Sequence, residues 1–316
     1  MKIGMVTDSL GHLPFEQLLP TAAELGIETL EFCCGNWSSA PHLNLDQLLA
    51  SETARREFLA KIRDHGLEIS ALNCSGNQLT PGEAGKQHDA VVRKTFQLAN
   101  LLDIHRIVMM SGLPGGPGDT NANWIIVAWP PETTKILEWQ WNEVAIPYWK
   151  ELVHYGKNLG IERIAIELHG QQLAYNTETL LKLRDAVGET IGANFDPSHM
   201  MWMGGEPLKA IRKLGEAIYY VHAKDTRIDH DNSDPNGLLE NKTNAYVTER
   251  AWNYVTLGYG HGDSWWREFV LLLAQVGYDD VLSIEHEDVS MSPIEGVRKS
   301  VDLLNRFMIR EKAAGS

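Results

Sequence analysis

The chain has 316 residues, of which 43% are hydrophobic and 22% are charged, and this is enough to build a sizeable core. Its formal net charge is −14 and its Lys and Arg form no basic run, which excludes nucleic acid as an expected partner. No apolar run approaches the ~18 residues of a membrane span, and the first residues, MKIGMVTDS, lack the apolar region of a signal peptide. Three cysteines fit a reduced cytoplasm better than a disulfide framework. We therefore expect a cytoplasmic protein that contacts neither nucleic acid nor membrane.

Short apolar runs alternate along the chain with segments of helical periodicity. The predicted strands are 2–7, 29–34, 67–74, 105–110, 163–168, 191–196, 218–224 and 280–286. The predicted helices lie near 14–25, 52–65, 84–102, 142–158, 176–187, 205–214, 264–275 and 293–309. Asn176 and Ser292 stand where helix caps are expected, and proline follows Ser292. The strands are nearly continuous in apolar character, which is typical of parallel strands buried on both faces.

Eight strands, each followed by a helix, predict an α/β fold, a single (β/α)8 TIM barrel that forms one domain over residues 1–316. The alternative is a doubly wound open sheet. No G-x-G-x-x-G follows the first strand, and this weakens a dinucleotide-binding interpretation.

Two connections, 111–141 after the fourth strand and 225–262 after the seventh, are too long to be simple turns. Such loops are usually functional or disordered, and their aromatic residues argue against disorder. In a barrel both would rise on the face that carries active sites. Four tryptophans of the first insertion either form a lid, an apolar wall for a bound molecule or a subunit contact, or simply pack on the barrel: Trp124, Trp129, Trp139 and Trp141.

Four consecutive predicted strands end in a potential metal ligand: Glu167, Asp196, His222 and Glu285. Any one of them alone is more often a cap, a surface acid or a buried core histidine. On adjacent strands, at one end of a barrel, they predict a shared metal site. Thiolates are absent, so structural zinc is not expected, and three carboxylates with one imidazole favour Mn²⁺, with Mg²⁺ or Co²⁺ as alternatives.

Further polar residues cluster in sequence around these four. Lys224 and Arg227 either hold substrate hydroxyls or a developing oxyanion, or form a salt bridge to Asp225 or another nearby acid. His261, in the stretch GYGHG, is either a substrate contact or a loop histidine without a role.

The stretches IAIELHG, NFDPSHM, YVHAKDT and LSIEHE, in this order, resemble the sugar phosphate isomerase/epimerase superfamily. This is the family of xylose isomerase-like barrels, which includes ketose 3-epimerases, inosose dehydratases and apurinic endonucleases. The resemblance covers nearly the whole chain and is specific in its second half.

The resemblance implies roles for individual residues. Glu167, Asp196, His222 and Glu285 match the metal ligands, and the two glutamates also match the acid/base pair of the ketose 3-epimerases. His199 and Arg227 match residues that contact the substrate. We add His169 as a candidate catalytic residue, and three candidate substrate contacts: Lys224, His261 and Trp129.

Departures from the family pattern reduce the number of activities that the resemblance implies. The second to fourth strands end in Phe32-Cys33, Asn73-Cys74 and Met110-Ser111, without the extra ligands of apurinic endonucleases. The Trp-rich insertion 111–141 departs from compact ketose epimerases and resembles larger members that act on 3-keto-glycosides, including C-glycoside deglycosylating enzymes.

The predicted function is that of a divalent-metal-dependent sugar isomerase or epimerase, which removes a proton α to a carbonyl and passes through an enediolate. The alternative is a lyase that catalyses β-elimination on a 3-keto-glycoside, including C-glycoside deglycosylation, or dehydrates an inosose. A non-catalytic sugar-binding barrel subunit is the non-enzyme alternative. The expected partners are a small-molecule sugar or glycoside and either further copies of the chain or a small subunit.

Overall fold

Eight parallel strands close into a barrel. The computed structural model describes residues 1–311 of the chain. The barrel strands are β1 (Lys2–Val6), β2 (Thr29–Cys33), β3 (Glu68–Asn73), β4 (Arg106–Met110), β5 (Arg163–Glu167), β6 (Ile191–Phe195), β7 (Ile218–Ala223) and β10 (Val281–Ile284). Around the barrel they follow the order β1-β10-β7-β6-β5-β4-β3-β2. The predicted α/β barrel is therefore confirmed.

Helices lie between the barrel strands. They are α1 (Phe15–Glu24), α2 (Leu45–Ala50), α3 (Glu52–Asp64), α4 (Glu83–Leu101), α5 (Glu132–Trp139), α6 (Ile146–Asn158), α7 (Thr177–Val187), α8 (Pro197–Trp202), α9 (Pro207–Leu214), α10 (His230–Asn236), α11 (Asp263–Gln275) and α12 (Pro293–Phe307). A π-helical stretch, Gln140–Ala145, joins α5 to α6. Within residues 1–311, none of these helices combines the length and the apolar character that a membrane crossing requires.

Both predicted helix caps are present. The Asn176 side chain accepts a hydrogen bond from the Thr179 amide at the start of α7, and the Thr179 side chain bonds back. The Ser292 hydroxyl accepts from the Glu295 amide at the start of α12, where Pro293 takes the first position. Local sequence therefore sets where these two helices begin.

The described chain contains two compact units. The first comprises Met1–Glu31, Ala60–Ser70 and the chain from Phe195 onward. Its core includes Trp266 and Phe269, and the Phe269 ring stacks on Phe195. The single-domain assignment over 1–316 stays a prediction, and residues 312–316 lie outside the described part.

The second unit comprises Phe32–Leu59 and Ala71–Asn194. Trp149 is fully buried in it and donates a hydrogen bond from its ring to the Ser111 carbonyl at 3.0 Å. This bond ties α6 to the residue that follows β4.

The two predicted insertions differ in content. Residues 111–131 contain no helix or strand, but α5 starts at Glu132, ten residues before the predicted helix start at 142. The Gly- and Pro-rich composition concealed this helix, which the pair Pro130-Pro131 precedes. The second insertion contains α10 and the antiparallel strands β8 (Asp225–Ile228) and β9 (Trp252–Val255).

Candidate metal centre

Asp196 follows β6 and is shaped by the residue after it. Pro197 takes the first position of α8, and the Asp196 backbone is extended. One carboxylate oxygen, Oδ1, accepts a hydrogen bond from the Ser198 amide at 2.8 Å and so caps α8. The other, Oδ2, lies 3.2 Å from both His199 Nε2 and Lys224 Nζ. Because Oδ1 is used by the cap, Oδ2 is the oxygen presented to the neighbouring polar side chains.

His222, near the end of β7, lies between two carboxylates. Its Nε2 is 3.0 Å from Glu31 Oε2, and its Nδ1 is 3.3 Å from Glu285 Oε2. Burial by itself would lower the pKa of His222, but the charges of Glu31 and Glu285 raise that pKa well above its usual value. The ring is thus fixed with Nε2 on Glu31 and Nδ1 on Glu285.

Lys224 is a buried cation, with 2% of its side chain exposed. Its Nζ lies 2.6 Å from Glu285 Oε2, 3.1 Å from Glu287 Oε1 and 4.5 Å from the centre of the Tyr254 ring. Burial disfavours the charged amine, but Asp196 and Glu285 raise the pKa of Lys224 well above its usual value. The side chain is therefore an ammonium held among carboxylates.

The Lys224 ammonium in turn lowers the pKa of the neighbouring carboxyl groups. Burial by itself would raise the pKa of Glu285, but Lys224 and His222 hold it well below the usual value. Burial would likewise raise the pKa of Asp196, but the charges of Lys224 and His199 lower it below its usual value. Both groups are therefore carboxylates at neutral pH.

Glu167, the last residue of β5, offers a third carboxylate. Asn194 Nδ2 lies 3.5 Å from Glu167 Oε2. One donor atom from each of Glu167, Asp196, His222 and Glu285 lies within 4.8 Å of the others. Ligands on opposite sides of a divalent ion, each bonded at about 2.0–2.4 Å, are separated by about 4–4.8 Å. The four residues therefore fit a divalent metal ion.

Two further residues of the predicted site, His199 and Lys224, lie beside these four. His199 is buried, and its Nδ1 lies 2.8 Å from the Tyr254 hydroxyl while its Nε2 faces Asp196. Both ring nitrogens of His199 therefore have protein partners, and one of these partners is the Asp196 carboxylate.

The remaining predicted residues have other surroundings. The His261 ring nitrogen Nδ1 lies 2.8 Å from Asp225 Oδ1. His169 is partly buried, and its ring bonds to the Gly170 carbonyl. Arg227 is exposed on β8, and Trp129 is 75% exposed. Neither of these last two side chains is drawn into the cluster of buried polar groups.

Residues 19–307 match the family model described as xylose isomerase-like TIM barrel. The chain belongs to this family. The family resemblance predicted from the four stretches is thereby confirmed. Among curated proteins, the uncharacterized protein YfiH of Bacillus subtilis (strain 168) is 52% identical over 309 residues, which are 97% of this chain and 99% of that protein.

Several solved structures share the fold of this chain. A D-tagatose 3-epimerase-like protein has a TM-score of 0.65 at 20% identity, covering 97% of each chain. The probable 3-DHS dehydratase AsbF from Bacillus anthracis has 0.67 at 17% identity, covering 98% of this chain and 100% of that one. The IOLI protein with a binding zinc atom has 0.62 at 18% identity, covering 98% and 99%. At these identities the likeness shows the fold alone.

Asp225 does not form the salt bridge to Lys224 or Arg227 considered from the sequence. Its carboxylate is fully buried and accepts hydrogen bonds from the amides of Gly258, Gly260 and His261 at 2.9–3.1 Å. In this xylose isomerase-like barrel it anchors the loop that contains GYGHG, and thereby places His261.

Two residues of the cluster were missed from the sequence. Glu31 is fully buried in β2, and the signal for it was a lone acid in an otherwise apolar strand, TLEFC. Tyr254 lies on β9 and pairs with Thr226 of β8. Nothing in the local sequence predicts that pairing, so Tyr254 had no comparable signal.

Proposed function

We propose that the protein is a divalent-metal-dependent isomerase or epimerase that acts on a keto-sugar or a sugar derivative. The observation that carries the proposal is the convergence of one donor atom each from Glu167, Asp196, His222 and Glu285 within 4.8 Å. Family membership supports it, and so do fold neighbours that include an L-ribulose 3-epimerase and a D-tagatose 3-epimerase-like protein.

The donor set decides which ion we propose. Three carboxylates and one imidazole form an oxygen-rich donor set with one nitrogen, which favours Mn²⁺, followed by Mg²⁺ or Co²⁺. When bound, the ion would act as a Lewis acid that polarises the substrate carbonyl.

The protein side chains carry the protons. Glu285 is held as a carboxylate by Lys224 and His222, and we assign to it the removal of the proton α to the carbonyl. The electron pair of the broken C–H bond enters the enediolate. Glu167, carrying a proton taken up from solvent, would deliver it to the other face and give an epimer, and Glu285 would then release its proton to solvent. Delivery to the adjacent carbon, with the hydroxyl proton passing to the former carbonyl oxygen, gives an aldose–ketose isomer. Positioned proton transfer of this kind contributes about 10²–10⁴-fold.

The surrounding residues would orient the substrate. The Lys224 ammonium, 2.6 Å from Glu285, is placed to donate to the developing oxyanion. We keep His169 as a second proton carrier. The proposed substrate contacts are His199, Lys224, Arg227, His261 and Trp129.

One observation favours a lyase as the second candidate. β-Elimination needs a base for the α-proton and an acid for the leaving group. Lys224 places a proton donor 2.6 Å from Glu285 and 3.1 Å from Glu287. Inosose dehydration or cleavage of a 3-keto-glycoside, including a C-glycoside, would use this pair.

NMR in deuterated water separates the candidates. The protein is incubated with Mn²⁺ and a panel of ketoses, inososes and 3-keto-glycosides. Deuterium at the carbon α to the carbonyl, in an epimer or isomer, supports the first candidate, and a free aglycone or a dehydrated product supports the second. Absence of exchange and of product across the panel would contradict both.

Location and assembly belong to the same proposal. We propose a cytoplasmic enzyme, because its three cysteines are buried and none forms a disulfide within the described part of the chain. We also propose that it assembles as a homo-oligomer or with a small subunit, which sedimentation of the purified protein would measure.

A further inference from the structure

Glu31 is a buried acid that none of the proposed reaction steps uses. Both carboxylate oxygens lie close to one nitrogen, with His222 Nε2 at 3.1 Å from Oε1 and 3.0 Å from Oε2. The Ser283 hydroxyl donates a further hydrogen bond to Oε2 at 2.9 Å. Glu31 and His222 are 191 positions apart in sequence, and both are fully buried. Burying a polar or charged side chain costs free energy unless hydrogen bonds compensate for the lost water, and His222 and Ser283 provide these bonds for Glu31.

We propose that Glu31 is a positioning residue that prepares His222 to bind a metal ion. A histidine that binds a metal ion uses the lone pair of one ring nitrogen and keeps its proton on the other. Nε2 of His222 faces both Glu31 oxygens and Nδ1 faces Glu285, so the metal-binding form of the ring keeps its proton on Nε2 and gives up the proton on Nδ1 to the ion. A carboxylate on the far nitrogen of a ligating histidine fixes the ring and increases its basicity.

Ser283 extends the arrangement to a third strand. It lies on β10 and is in register with His222 on β7. Its hydrogen bond to Glu31 Oε2 holds the plane of the carboxylate, so β2, β10 and β7 each contribute one residue to a chain of contacts that ends at Nδ1. A substitution of Ser283 should therefore weaken metal binding indirectly, by releasing Glu31 and with it the His222 ring.

This inference rests on the metal site of the proposed function, and its test measures binding rather than turnover. Metal-free protein is titrated with Mn²⁺ by calorimetry, and the visible spectrum of the Co²⁺-loaded protein is recorded. We expect Glu31→Gln to weaken Mn²⁺ binding about 10- to 100-fold and to change the Co²⁺ spectrum. Ser283→Ala keeps the carboxylate and should give a smaller loss of the same kind.

Glu28→Gln is the matched control. Glu28 accepts a hydrogen bond from the Ile3 amide at 2.8 Å and pairs with Arg310 at 2.7 Å, so its loss removes a structural acid of the same unit. We expect its Mn²⁺ affinity and Co²⁺ spectrum to match those of the wild type. The thermal midpoint of each metal-free variant separates folding from binding, and Ser283→Ala carries the test alone if Glu31→Gln does not fold.

The outcomes are distinguishable. If the Glu31 and Ser283 variants bind Mn²⁺ as tightly as the wild type and share its Co²⁺ spectrum, the positioning role is wrong and the metal site stands. If the wild type itself binds no Mn²⁺ or Co²⁺, the proposed function fails and the positioning role fails with it.

Discussion

Asp196 shows how one side chain can serve both the fold and the site. Its Oδ1 caps α8 through the Ser198 amide, and Pro197 keeps its backbone extended. Its Oδ2 is therefore directed by the cap toward Lys224 and His199. Local sequence sets this geometry, so the stretch NFDPSHM by itself indicates how Asp196 is presented.

The two glutamates of the site give the first residue-level prediction. Glu167→Gln and Glu285→Gln keep the size of the side chain but remove the carboxylate that binds metal and carries the proton. We expect each variant to lose turnover by at least the ~10²-fold attributed to a positioned proton carrier, while its circular dichroism matches that of the wild type. Glu28→Gln serves as the control, and near-normal turnover in either site variant would contradict the assigned roles.

The cysteines give a prediction about thiol reactivity, which depends on the pKa of each thiol. All three are buried, and burial raises the pKa of the Cys34 thiol to about 12 and that of Cys74 well above its usual value. A raised pKa keeps a thiol neutral and unreactive until the pH approaches that value. At pH 8 we expect Ellman's reagent to label no thiol in the native protein and all three in denaturant. Rapid labelling of the native protein would contradict this burial.

At the scale of elements, the pairing of β8 with β9 brings Tyr254 to the site. Its hydroxyl lies 2.8 Å from His199 Nδ1, and its ring lies under the Lys224 ammonium. Trp202 of α8 stacks on Trp252 of β9 with ring centres 4.8 Å apart, which holds the strand against that helix. The second insertion is therefore part of the support for Asp196.

Tyr254→Phe tests this support. The variant keeps the ring over Lys224 and loses the hydrogen bond to His199, which is worth about 0.5–1.5 kcal/mol. We expect a small fall in thermal stability together with weaker Mn²⁺ binding, because His199 no longer holds Asp196 in one orientation. Tyr246→Phe, at an exposed position of the same insertion, is the control. Equal Mn²⁺ affinity in Tyr254→Phe and the wild type would count against the role.

The loop with GYGHG offers a second test at this scale. A Cβ on Gly260 would lie 2.4 Å from the Thr226 carbonyl and 2.6 Å from Asp225 Oδ1, whereas a Cβ on Gly262 meets nothing within 4 Å. We expect Gly260→Ala to displace the loop and lower the thermal midpoint clearly more than Gly262→Ala does. Equal midpoints for the two variants would show that Asp225 does not hold the loop as closely as described.

The same elements show what the sequence could predict. Apolar runs marked all eight barrel strands to within about two residues, because buried parallel strands carry that pattern themselves. Helix α10 was missed because its sequence, HDNSDPN, has no apolar periodicity. Glu31 and Tyr254 were missed because their roles depend on partners far away in the chain, at His222 and His199.

At the scale of the whole molecule, strand order explains why the four candidate ligands, each a weak indication of a metal site alone, together predict one. The strands β5, β6, β7 and β10 are consecutive neighbours in the closed barrel. Because parallel strands present their carboxyl ends at one rim, residues at or just after those ends meet there. The formal charge of −14 fits a small-molecule or cation partner better than a nucleic acid.

The metal content of the purified protein tests the central claim most directly. Elemental analysis should find about one equivalent of a divalent metal per chain, with Mn²⁺ favoured by the donor set. Once the NMR panel has identified a substrate, a chelator should abolish turnover and added Mn²⁺ should restore it. Protein that contains no divalent metal, cannot be loaded with Mn²⁺ or Co²⁺, and turns over unchanged in the presence of chelator would contradict the account.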